Sequence, residues 1–168
     1  MASMALKGSA TDVVMELLER GLEHPQFQHP ETNQDLMFLA AARSAHLGGA
    51  HRIAMRLADL GVPIDSVDNC GQTPLFVAAM AGAAKCAKFL VRKKCDVNHR
   101  DRDGQSALYN AFRSGDLVMV HLLVQCECDV ELKDNSGQHA LSYASERTKE
   151  VLAESLLSTD GQPSGSHP

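Results

Sequence analysis

Apolar residues in this chain fall into short blocks with helical spacing, and the blocks return at a constant interval. Leu75 and Ala78 belong to one block, which Gly82 ends, and Cys86, Ala87, Phe89, Leu90 and Val91 lay an apolar stripe along a second. Leu75, Ala78, Gly82, Leu90 and Val97 recur 33 positions later as Leu108, Ala111, Gly115, Leu123 and Val130. The polar positions keep the same step, Asp68, Gly71, Gln72 and Asp96 returning as Asp101, Gly104, Gln105 and Asp129. A third, partial copy opens with Asp134, Gly137, Gln138, Leu141 and Ala144. Self-similarity at this period is the mark of a stacked repeat array, in which each unit covers its apolar side with its neighbours.

One unit reads as turn, helix, helix, extended finger. Asn69 and Gly71 tolerate the positive φ of a tight turn. Thr73 is expected to cap the first helix with its hydroxyl, and Pro74 supplies a preset φ to its first turn. Gly82 is a left-handed stop, Arg92, Lys93 and Lys94 suit the C-terminus of the second helix, and Cys95 to Arg100 run extended into the next turn.

Gly71-Gln72-Thr73-Pro74-Leu75, with Ala78-Ala79, Gly82 and the closing Cys95-Asp96-Val97-Asn98, resembles the ankyrin repeat. The resemblance implies an all-α solenoid of paired antiparallel helices with short finger loops, four to five repeats counting degenerate terminal caps. Phe76 replaces the family's usual His, and Thr-Pro weakens to Ser106-Ala107 and then His139-Ala140. Asn110 stands where Val77 is apolar, which predicts a buried polar group or a local shift of the helix.

The ankyrin domain is assigned to residues 1–157, with 1–34 as a degenerate first repeat and loop. Val13, Val14, Leu17 and Leu18 share a helical face that Gly21 ends, and Ala2 to Lys7 are the stub of a preceding helix. His24 and His29 lie in the connection and read as solvated. Repeats follow at 35–67, 68–100 and 101–133. In the first of these, helices are expected over Asp35 to Leu47 and His51 to Leu60, with about three extra residues before Gly49. The cap, 134–157, is expected to hold a first helix up to Ser145 and a second from Lys149 to Leu157, with Val151, Leu152, Leu156 and Leu157 inward. Residues 158–168, rich in Ser, Gly and Pro, read as a disordered tail.

Composition narrows the chemistry. Aromatic residues make up 4% of the chain and Trp is absent, so Ala and Leu fill the space between close helices. Five cysteines, Cys70, Cys86, Cys95, Cys126 and Cys128, are placed by the repeat and read as small hydrophobes in a reducing compartment. Cys70, at a turn tip, is the candidate for an exposed thiol. Cys126, Cys128 and His121 do not have zinc spacing, so no metal is expected. There is no secretory signal and no apolar run of membrane-spanning length, so an intracellular protein of cytoplasm and nucleus is expected, with no membrane partner. Net charge of −5 and few stacking aromatics argue against nucleic acid.

Catalysis needs a nucleophile, a base and an orienting group that converge, and no such set stands outside the repeat logic. No enzyme activity and no cofactor are expected. The resemblance implies instead a monomeric protein-binding adaptor or regulator that uses unit positions two, three, five, thirteen and fourteen on its concave face. Those positions are Asn69, Cys70, Gln72, Met80 and Ala81; Arg102, Asp103, Gln105, Arg113 and Ser114; then Asn135, Ser136, Gln138 and Glu146. Between Lys85 and Arg113 eight basic residues stand against three acidic ones, which suits an acidic partner segment or simply solvates the outer face. Size and repeat number are similar to those of the small ankyrin inhibitors of cyclin-dependent kinases. A thiol sensor or enzyme centred on Cys70 or Cys126 is a further, outlying alternative. Finally, Leu90 to Asn98 resembles the finger site of the factor-inhibiting-HIF type of asparaginyl hydroxylase, and only Asn98 qualifies, since Asp65 and Glu131 fill the equivalent places.

Overall fold

Seven helices and a 3-10 turn follow one another in a computed structural model that describes residues 28–43 and 50–159. The helices are α1 (Leu36–Arg43), α2 (Ala50–Asp59), α3 (Pro74–Met80), α4 (Ala84–Arg92), α5 (Ala107–Ser114), α6 (Leu117–Gln125) and α7 (Glu146–Thr159), with the 3-10 turn at Ala140–Tyr143 before α7. They stack in two rows. One row is α1, α3, α5 and the 3-10 turn, and the other is α2, α4, α6 and α7. Among the described residues the substantial packing runs within a unit or to the next unit only, as an all-α solenoid requires.

The core is a seam between the rows. Phe38, Phe76, Tyr109 and Phe112 are fully buried from the inner row, and Leu57, Leu90 and Leu123 occupy one register position on the outer helices with no exposure at all. Ala78, Ala79, Ala87 and Ala111 are equally buried and let the helices approach closely.

The turns form by a repeated carboxylate bond. Asp68 Oδ1 accepts from the amides of Cys70 and Gln72 at 2.8 and 2.9 Å. Asp101 does the same for Asp103 and Gln105, and Asp134 for Ser136 and Gln138. Each finger then leans on the one before: Asn69, Arg102 and Asn135 donate their backbone N–H to the carbonyls of Thr32, Cys70 and Asp103. At Gly104 (φ +78°) a Cβ would sit 2.6 Å from Asn135 Oδ1, so the turn needs glycine for both conformation and space.

Several expectations are corrected. Thr73 sits at the N-cap of α3 in extended backbone, yet its hydroxyl caps nothing and is buried without a partner. Of the amides it was expected to serve, that of Phe76 already donates to the Thr73 carbonyl, and Pro74 has no N–H. Ser106 and His139 likewise make no side-chain cap. Capping falls instead to Asp35 at α1, whose Oδ1 accepts from the Met37 amide at 2.8 Å, and to Asp116 at α6, which accepts from Val118 and Met119.

The cap's first helix is a 3-10 turn of four residues rather than an α-helix reaching Ser145. Ser145 starts the next helix, bonding the Thr148 amide and hydroxyl. α7 therefore begins at Glu146, before the expected Lys149, and leaves no room for a longer first helix. It also continues through Ser158 and Thr159, which were read as tail. The shortened element leaves an open groove of about 410 Å³ between Phe112, Val130 and Leu141.

α1 starts immediately after Asp35, at Leu36, five residues before the 33-residue step back from Pro74, so the irregularity of this unit lies between Leu36 and Leu57. Residues 28–35 close as a finger, with a bridge between Gln28 and Asp35. Asn110 is half-buried and its helix unbroken, so neither a buried polar group nor a shift is needed. The helix expected at 13–18, the extra residues around Gly49, the inward side chains of Val151, Leu152, Leu156 and Leu157, and the tail beyond 159 lie outside the described residues.

Candidate functional site

Turn tips and the ends of the inner helices bring the expected contact residues to neighbouring positions in successive units. Asn69, Cys70, Arg102, Asp103, Asn135, Ser136 and Gln138 are exposed, and Gln72 and Gln105 half-buried. On the inner helices Met80 is 61% exposed and Arg113 and Ser114 are exposed as well, whereas Glu146, also exposed, opens the outer helix α7 rather than ending an inner one.

The repeat does use some of these side chains. Asn69 Nδ2 donates to the Glu31 carbonyl at 2.7 Å and Asn135 Nδ2 to the Arg102 carbonyl at 2.8 Å, so both amides tie fingers together. Ser136 donates its hydroxyl to Asp134 Oδ1 at 2.6 Å. The premise that packing leaves these positions unused therefore fails for these three residues.

Arg113 is held from two sides. It donates to Gln105 Oε1 at 2.9 Å, and its guanidinium lies 5.4 Å from the centroid of the Tyr143 ring. Tyr143, 37% exposed, donates its hydroxyl to Asp134 Oδ2 at 2.9 Å. That bond to a carboxylate, with burial and the charge adding to it, raises the pKa of Tyr143. The Ser136 hydroxyl first, then the Gln138 amide and Tyr143, outweigh burial and hold Asp134 down at about 2. Tyr109, buried beneath, has its hydroxyl 2.7 Å from the Gln138 carbonyl and 2.9 Å from that of Leu132. Sequence reasoning missed Tyr143. It stands one step of 33 after Asn110 and is one of only two tyrosines, the signal by which it was findable.

The basic run divides in space. Arg102 and Arg113 face the finger side. Arg100 braces the turns, donating to the Gly104 and Lys133 carbonyls at 3.0 and 2.6 Å. Lys85, Lys88, Arg92 and Lys93 lie exposed on the outer row.

The five cysteines are free. Burial, aided by neighbouring Asp and Cys groups, pushes the Cys95 and Cys128 thiols up to about 12, and burial also raises Cys126. These thiols are protonated near neutral pH, the opposite of activation. Asn98, half-buried, accepts the Asp129 amide through Oδ1 at 2.7 Å and so links two fingers. Among the described residues no group of three or more His, Cys, Asp or Glu is placed to hold a metal ion. Nor is any described helix long and apolar enough to cross a membrane.

Paired helices, carboxylate-pinned turns and neighbour-only packing at a fixed period define a helical solenoid. A family model described as ankyrin repeats (3 copies) matches residues 1–101 and again 86–164, and the chain belongs to the ankyrin-repeat family. Ankyrin repeats are generally protein–protein interaction modules, and the family is typically non-catalytic. No curated protein matches the chain.

Proposed function

We propose that the chain is a non-catalytic adaptor or regulator that binds a segment of one other protein along the face made by its fingers and inner helices, acting as a monomer inside the cell. The observation that carries this reading is the run of Met80, Arg113 and Tyr143. An exposed thioether, a guanidinium pre-oriented on an aromatic ring, and that ring itself lie along consecutive inner elements. Arg and Tyr are enriched among residues that dominate interface energies, and an oriented Arg loses less freedom on binding. Cys70, Gln72, Arg102, Asp103, Gln105, Ser136 and Gln138 border this run, with Asn69 and Asn135 at the turn tips. Arg102 and Arg113 suit an acidic segment with an apolar anchor for Met80.

Affinity capture from cell lysate, wild type against Arg102→Ala/Arg113→Ala, tests the reading. Partners retained by the wild type should be lost by the double variant at unchanged thermal midpoint. The same partners on both proteins would remove the site from this face.

A second reading concerns Asn98, whose half-buried amide carries one finger-to-finger bond. An asparaginyl hydroxylase of the factor-inhibiting-HIF type should add one oxygen there. An unshifted mass after incubation ends that idea.

A further inference from the structure

We propose that the outer face of α2 and α4 is a peripheral contact surface for an anionic lipid bilayer. Arg52 and Lys85 stand one repeat step apart on these two packed helices, and Arg56, Lys88, Arg92 and Lys93 complete the set. All six are exposed, and none makes an ion pair among the described residues. The Lys93 ammonium lies 5.9 Å from the centroid of the Phe89 ring, and Lys88 acts electrostatically on the Cys126 thiol. The two helices carry a single acidic side chain, Asp59. In a chain of net charge −5 this is a marked segregation of sign, and it concentrates positive potential on one side of the solenoid.

A second observation selects the occupant. The row through Arg52 and Lys85 reaches, one further step along, Val118 of α6, which is 65% exposed. Met55, one repeat step before Lys88, is 47% exposed. A nucleic acid or a run of acidic residues alone would match the cations and leave both apolar side chains in water. A bilayer surface rewards both, since lysine and arginine meet anionic headgroups while protruding apolar groups enter the boundary below them. That no described helix is long and apolar enough to cross a membrane bears only on insertion, and peripheral contact needs none. The surface lies apart from Arg102 and Arg113, so it stands or falls independently of partner binding at the fingers.

Sedimentation of the full chain with vesicles tests it. The wild type should pellet with phosphatidylcholine vesicles containing about 30% phosphatidylserine, not with phosphatidylcholine alone, and should be released as salt is raised. Arg52→Glu/Lys85→Glu/Lys88→Glu should lower partitioning at least about tenfold. Val118→Ser should lower it by roughly threefold, and Arg102→Ala/Arg113→Ala should leave it unchanged, all with wild-type circular dichroism. Failure of the wild type to pellet with the anionic vesicles overturns the proposal. So does a triple variant that pellets like wild type. An unaffected Val118→Ser overturns the bilayer as occupant in favour of a purely anionic partner.

Discussion

In the unit 68–100 the inner helix ends on Met80, bare and apolar, and 33 positions later the same place holds Arg113, stacked on Tyr143 and bonded to Gln105. The turn tips differ as much, Asn69-Cys70 in one unit against Arg102-Asp103 in the next. Beneath these differences the two units are built alike. Asp68 and Asp101 pin their turns with the same pair of bonds, and Gly71 and Gly104 hold φ near +77° and +78°. Leu90 and Leu123 vanish into the same seam. The shared turn aspartates, turn glycines and seam leucines make the solenoid, and the residues that differ at the turn tips and inner-helix ends face outward. Frame and face are thus separable, and each prediction below strikes one of them.

The largest effect belongs to the seam. Leu90→Ala and Leu123→Ala should each cost about 2–5 kcal/mol, because the rigid helices around a fully buried leucine cannot close on the space left. Equilibrium urea unfolding measures this. A loss under about 1 kcal/mol at either position would mean that the two units do not share one frame.

Acid separates the turns next. Asp134 is held below the ordinary carboxylate value, at about 2, so the fold favours its charged form. Its contribution is complete above the unfolded value, about 3.8, and disappears as pH falls from there toward about 2. Ser136→Ala removes the largest cause of the depression and should flatten the dependence of the urea midpoint on pH across that window. Parallel profiles for wild type and variant would contradict the assignment.

Smaller again is the backbone strain at the ends of the outer helices. Gly61, Lys94 and Glu127 hold one register position, with φ of +83°, +65° and +58°. Only the first is a glycine, although a left-handed residue with a Cβ costs about 1–2 kcal/mol. Lys94→Gly and Glu127→Gly should therefore stabilise by roughly 0.5–1 kcal/mol after the added freedom of the unfolded chain is set against the relief. A lowered midpoint in thermal unfolding would refute this.

The smallest is at Thr73. With its hydroxyl buried and unpartnered, Thr73→Val should be neutral or stabilising by up to about 1 kcal/mol, whereas a capping hydroxyl would make the same change cost about as much.

The period, the helix pairs and the turn glycines were legible because each follows from local chemistry repeated at one interval: Asp and Gly at a turn, Leu at a seam. Thr73 misled because capping propensity is a property of a residue type, while the bond depends on where the hydroxyl lies, and here the Phe76 amide already donates to the Thr73 carbonyl and the hydroxyl is buried without a partner. The short 3-10 turn was hidden for a related reason, since Ser145 decides where α7 begins only through its bonds to Thr148. The exposure of Asn69, Arg102 and Asn135 was readable by register, but not the bonds their side chains or backbones already make. Nothing in the sequence around Asn69 or Asn135 tells an amide offered to a partner from one already given to the preceding finger. Tyr143 was overlooked because its value lies in Arg113 and Asp134, which only folding brings to it.

The separation of frame from face is tested most directly by giving one unit the surface of the other. Arg102→Asn, Asp103→Cys, Arg113→Met and Ser114→Ala together give the turn tip and inner-helix end of 101–133 the residues of 68–100, leaving the turn aspartate, glycine and seam leucine untouched. The unfolding free energy of this variant, measured in urea, should stay within about 1 kcal/mol of wild type, as surface changes do. A loss as large as that of Leu123→Ala would show that the outward residues hold the solenoid together, and the account would be wrong.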